Sequence, residues 1–170
     1  MVFRILGGIL VFAACGLLGL HMSNRGAARA RQLAEFRQSL LMLKSEIEFA
    51  AYPLPQAFAH IAQRTRDFAD FYSELSHRLT NKEMGLAQAW ETGLAELSHD
   101  NLSTGDKQVI CNLNNALGSI DAAVQINAID QAITSLDDTL AILSVQNAKN
   151  SKMYRQLGLL GGALIVVVLL

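Results

Sequence analysis

Residues 5–24 are 20 consecutive positions without Asp, Glu, Lys or Arg, bounded by Arg4 and Arg25. The chain closes on a second run, residues 157–170, in which all 14 positions are apolar or Gly. A helix rises about 1.5 Å per residue, so the first run is about 30 Å long, the thickness of a bilayer core. The second run alone is about 21 Å long. Starting it at Met153 lengthens it to about 27 Å, with Arg155 snorkelling to the headgroups. Arg25, Arg29 and Arg31 follow the first run, and Lys149, Lys152 and Arg155 precede the second, so six of the 14 basic residues lie on one side. The positive-inside rule assigns that side to the cytoplasm. The expected organisation is a transmembrane helix over 1–24 with a short external N-terminus, a cytoplasmic domain over 25–152, and a transmembrane helix over 153–170.

A cleaved leader explains the first run less well. Phe12-Ala13-Ala14-Cys15 loosely resembles a lipoprotein cleavage box, but Gly16-Leu17-Leu18-Gly19-Leu20 continues the apolar run beyond it. Gly158 and Gly162 form a G-x-x-x-G pair, and Cys15 with Gly19 a small-x-x-x-small pair; such seams let helices approach closely in lipid. Gly158 and Gly162 are therefore candidate packing positions, for the chain's own helices or a second copy.

The net charge of −1 conceals a segregation. Residues 38–148 hold six basic and 14 acidic residues, a net −8, between two basic collars. An acidic domain disfavours nucleic acid as a partner and leaves anionic lipid to the collars. Two cysteines, one in the first run and Cys111, exclude a disulfide framework, and Cys111 reads as a small buried residue.

The middle domain reads as all-α. Leu33, Phe36, Leu40, Leu43, Ile47 and Ala50 recur at 3-4 spacing, a heptad stripe that ends at Pro53-Leu54-Pro55. Shorter helices follow, marked by Leu54, Phe58 and Ile61; by Phe68, Phe71, Tyr72, Leu75 and Leu79; and by Leu86, Trp90, Leu94 and Leu97. Ser103 or Thr104 caps the next, which Gly118-Ser119 breaks. From Asp121 one helix of about 50 residues runs on, with Ile126, Ile129, Ile133, Leu136, Leu140 and Leu143 as its stripe. The two stripes are expected to pack antiparallel and also to be covered in part by the short helices.

Nothing in the chain carries a catalytic pattern. The four histidines lack metal-ligand spacing, and neither a phosphate-binding loop nor a nucleophile elbow occurs. Glu46, Glu48, Asp137 and Asp138 read as a solvated helix face, and Asp106 with Lys107 as helix-start charges. Trp90, the only tryptophan, lies on the apolar face of its helix and is a core or partner position. Pro53 and Pro55 form a corner that is a candidate docking surface. No enzyme activity and no cofactor, metal or catalytic residue is expected.

The pieces together resemble the stage III sporulation protein AB family over nearly the full length. The resemblance rests on the glycine-rich first run with its basic residues; Leu40, Leu43, Glu46 and Ile47; and Pro53-Leu54-Pro55 with Ala57 and Ile61. It continues in Gly85-Leu86 with Trp90, in Leu117-Gly118-Ser119-x-Asp121 with Gln125, and in Arg155-x-Leu157-Gly158 with Gly161. Tyr52 and Gln56 depart from the pattern, which usually has a small polar residue before the first proline and an acidic one after the second. The resemblance implies a non-enzymatic platform component, similar to those of type II secretion and type IV pilus machines. Its helical domain would contact a secretion-type ATPase and other channel proteins, from the outer forespore membrane into mother-cell cytoplasm. A membrane-anchored adaptor or sensor, recruiting a soluble partner without transmitting force, is the alternative.

Overall fold

The computed structural model describes residues 26–50, 52–97 and 101–169, and for 150–169 the backbone alone. Every regular element among them is a helix. The first, α1 (26–45), passes without a break into a π-helical turn, Glu46–Ala50. Then follow α2 (Leu54–Ala62), α3 (Ala69–Thr80), α4 (Leu86–Glu96), α5 (Thr104–Leu117) and α6 (Ala122–Leu169). The described residues divide into two units, residues 31–140 and residues 26–30 with 141–169.

Within residues 31–140, α1 and α6 run antiparallel. Arg37 is bidentate to Asp137, with Nη2 3.0 Å from Oδ2. Lys44 Nζ lies 2.7 Å from both carboxylate oxygens of Asp130. Seven residues up α1 are matched by seven down α6, the heptad step that brings the same face round after two turns. Leu33, Phe36, Leu40 and Leu43 on α1 are fully buried, as are Ile129 and, nearly, Leu136 on α6. The expected stripes thus pack, and the short helices cover what remains. Successive helices from α2 to α5 lie against one another, and α2 also meets the π turn.

Six aromatic side chains fill the space between α1 and these helices. Phe36 meets Phe68 at 5.1 Å between ring centres, Phe58 meets Tyr72 at 5.9 Å, and Phe71 meets Trp90 edge-on at 5.2 Å. All six are buried, Phe36, Phe58, Tyr72 and Trp90 completely. Gly93 lies mid-helix in α4, where glycine normally costs about 1 kcal/mol. A methyl group there would stand 3.1 Å from the Phe71 ring, and that approach accounts for it.

The helix ends follow local chemistry. Pro53 and Pro55 open α2, where the missing N–H groups have no helical partner to lose, and Pro53 O accepts from Gln56 and Ala57. Ser103 caps α5 in a reciprocal box: its Oγ accepts from Asp106 N at 3.2 Å, and Asp106 Oδ2 accepts from Ser103 N at 2.8 Å. Gln125 Nε2 donates to the Leu117 and Ser119 carbonyls and closes the α5–α6 turn.

Three expectations need correction. Ala50 does not continue the α1 stripe but is exposed, because the π turn holds an extra residue and rotates it away from the core. Cys111 is half-buried, since it follows the core residue Ile110 and lies about 100° round α5. Glu46, expected on a solvated helix face, is instead mostly covered beside His60, whereas Asp137 stays exposed as the partner of Arg37.

The expected span over 1–24, with Cys15 and Gly19, lies outside the described residues. Among the described residues no helix is long and apolar enough to cross a membrane. Residues 153–169 continue α6 as helix, and Gly158 and Gly162 lie on that backbone.

Candidate functional site

The corner at Pro53-Leu54-Pro55 is where the chain leaves the long α1 helix for the short ones. Pro53 is exposed and Pro55 half-exposed. Beside them the Tyr52 ring packs edge-on against His60 at 5.1 Å, and His60 Nδ1 lies 3.5 Å from Glu46 Oε1. The corner is therefore a small built surface: two prolines, one aromatic ring, one imidazole and one carboxylate, held between the π turn and α2. It presents shape and a few polar groups, with no nucleophile placed beside a base. Among the described residues no group of three His, Cys, Asp or Glu side chains is arranged to hold a metal.

Trp90 lies at the other extreme. Its ring is fully buried between Phe58 and Phe71, and its Nε1 donates to the Ile110 carbonyl at 2.9 Å. It is unreachable by a partner and joins α4 to α5.

Several side chains that set this framework carry no signal in the sequence. Glu35 Oε1 accepts from three successive backbone amides, Arg66 and Asp67 at 2.6 Å and Phe68 at 3.3 Å. The first turn of α3 has no cap of its own, so a carboxylate on α1 satisfies the donors ahead of it. Gln32 Oε1 accepts from Asn101 N at 2.8 Å. Arg78 bridges α3 and α4 through Glu74 at 2.7 Å and Glu96 at 2.9 Å.

Ser39 Oγ, buried on α1, lies 2.5 Å from Tyr72 Oη on α3 and 2.6 Å from the Phe36 carbonyl. Burial pushes the Tyr72 hydroxyl well above the ordinary tyrosine range; the Ser39 hydrogen bond opposes this and the Glu35 charge adds to it. Lys44 and Arg37 are also held above their ordinary values, first by their hydrogen bonds to Asp130 and Asp137.

In the second unit, a methyl group on Gly26 would stand 2.3 Å from Asn147 Oδ1. The start of α1 and this stretch of α6 approach too closely there for any side chain to fit without Asn147 turning aside.

Comparison with known proteins gives one consistent answer. A family model described as stage III sporulation protein AB matches residues 4–170. Stage III sporulation protein AB of Bacillus subtilis (strain 168) is 28% identical over 169 residues, covering 98% of this chain and 99% of the relative. A solved structure of a stage III sporulation protein AB superposes with a TM-score of 0.64 at 27% identity, over 71% of this chain and 97% of that one. The resemblance read from the residues is borne out.

Proposed function

The chain belongs to the stage III sporulation protein AB family, and from that premise we propose that it is a structural platform component of a secretion-like channel needed for endospore formation. In this reading both ends lie in the outer forespore membrane, and the acidic helical domain hangs in mother-cell cytoplasm. The domain receives conformational change from a secretion-type ATPase and passes it along α1 and α6. The role is non-enzymatic and needs no cofactor.

The observation that carries the reading, beyond the family itself, is the construction of the α1–α6 pair. Ion pairs at Arg37–Asp137 and Lys44–Asp130 lock two antiparallel helices in register, and α6 runs as one helix from Ala122 to Leu169. A pair fixed against sliding transmits displacement; an adaptor needs only an anchored surface. The relatives, too, are named as sporulation proteins.

Inserting a flexible Gly/Ser segment after Asn147 tests this. Force transmission requires the insertion to abolish sporulation while the chain still inserts in the membrane and binds its partner. Full sporulation by the insertion strain would leave the adaptor as the better reading.

A further inference from the structure

In residues 31–140, five large apolar side chains are exposed among the described residues, and four of them gather at one end. Phe49 is 79% exposed and Tyr52 44%, where α1 finishes; Ile120 is 105% exposed and Val124 45%, where α6 begins. Because α1 and α6 are antiparallel and registered by Lys44–Asp130, these two stretches lie at the same end of the pair. Phe49 is displayed by the π turn, a backbone irregularity that recurs at functional sites. Pro53, also exposed, adds a rigid apolar edge.

The charges on these two stretches are of one sign. Residues 45–63 and 117–129 contain Glu46, Glu48 and Asp121, and neither Lys nor Arg. Glu48 and Asp121 are exposed, whereas Lys44, which adjoins the first stretch in sequence, is paired with Asp130. Exposed aromatic and aliphatic groups with an acidic rim match the anatomy of a protein interface: an apolar centre and a charged edge. An acidic rim repels anionic lipid, and two copies meeting end to end would bring like charges together.

We infer that the end bearing Phe49, Tyr52, Ile120 and Val124 is the docking face for a protein partner whose own surface is apolar and ringed by Lys or Arg. The choice of probe rests on the platform reading, in which that partner is the secretion-type ATPase. The face itself is read from this chain's side chains alone.

The test uses the full-length chain in nanodiscs and a purified secretion-type ATPase from the same organism. Phe49→Asp with Ile120→Asp, and separately Glu48→Lys with Asp121→Lys, should each weaken binding at least tenfold. Gln88→Lys, on exposed α4, should leave it within twofold. Wild-type affinity should fall as salt is raised. All five positions are exposed, and unchanged circular dichroism will show that the variants fold. If the ATPase binds and both double variants bind like wild type, the docking face is wrong and the platform reading stands. If the ATPase does not bind even the wild-type chain, the platform reading fails. The face is then judged in sporulating cells by a photo-crosslinker placed at Phe49 or Ile120. Crosslinks to an apolar, Lys/Arg-ringed surface of an identified protein keep it. Crosslinks only to a second copy or to lipid, or none, overturn it.

Discussion

Tyr72 Oη on α3 and Ser39 Oγ on α1 lie 2.5 Å apart in a part of the core closed to solvent. The pair fixes the rotation of α1 against α3, because both hydroxyls are left without a side-chain partner if either helix turns. It also makes the fold sensitive to alkali. An unfolded tyrosine ionises near pH 10, whereas burial keeps Tyr72 protonated well above that. A group whose folded pKa is raised contributes stability below its unfolded pKa and loses it as pH rises beyond. Stability should therefore be flat up to about pH 9.5 and fall above it. Denaturant titrations of wild type and Tyr72→Phe will check this: the variant should lose about 1 kcal/mol at neutral pH and show a shallower alkaline decline.

Glu35 should matter more than a half-exposed carboxylate usually does. Glu35→Ala strips the acceptor from three amides and should cost about 1–3 kcal/mol. Limited trypsin digestion gives a second reading, because Arg64 and Arg66 lie exposed in the segment those bonds hold. Cleavage there should accelerate in the variant well before global unfolding.

Trp90→Ala should lower stability by about 3–5 kcal/mol, since it empties a site enclosed by Phe58 and Phe71. Trp90→Phe keeps most of the volume and loses the bond to Ile110, for a smaller cost of about 1 kcal/mol. Denaturation midpoints followed by circular dichroism measure both. The emission of the single tryptophan should be blue-shifted in the native chain and red-shifted on unfolding.

Lys82 has φ of 55°, the only positive φ among the described non-glycine residues. It ends α3 in the left-handed conformation, with Glu83 N bonded to the Arg78 carbonyl at 3.0 Å. Side chains other than Gly adopt that conformation at a cost of about 1–2 kcal/mol, so Lys82→Gly should stabilise the chain by up to about 1 kcal/mol once unfolded-state entropy is counted. A higher denaturation midpoint with unchanged slope is the expected result.

The register of α1 and α6 is open to a charge swap. Lys44→Asp alone places two carboxylates side by side and should weaken the pair; adding Asp130→Lys should restore most of what is lost. Sporulation efficiency and thermal midpoint should recover together if register serves function.

The helices were legible because each obeys a local rule. The Leu33-to-Ile47 stripe, the proline corner, Ser103 and Gly118 gave boundaries close to those observed. What stayed hidden depends on residues far apart in the chain. Nothing around Glu35 tells that three amides some 31–33 positions later will lie against it. The π turn is equally silent, because its pattern of residues is that of an ordinary helix until the phase slips at Ala50. The corner prolines were visible as a turn, but Phe49 and Ile120 read as ordinary apolar positions until the antiparallel pairing brought their two stretches to one end.

The partners that lock α1 to α6 are 86 and 100 residues apart. At the usual ~5–20 residues per second of synthesis, Lys44 waits roughly 4–17 s for Asp130 to be made. During that interval the apolar stripe of α1 has only α2–α5 to shelter it. Those helices emerge one after another and can close over it as they come. Birth order and packing order therefore coincide, and the final seal is the last helix made. A ribosome stalled before residue 130 would display a half-covered stripe, the form of this chain that chaperones and proteases are most apt to meet.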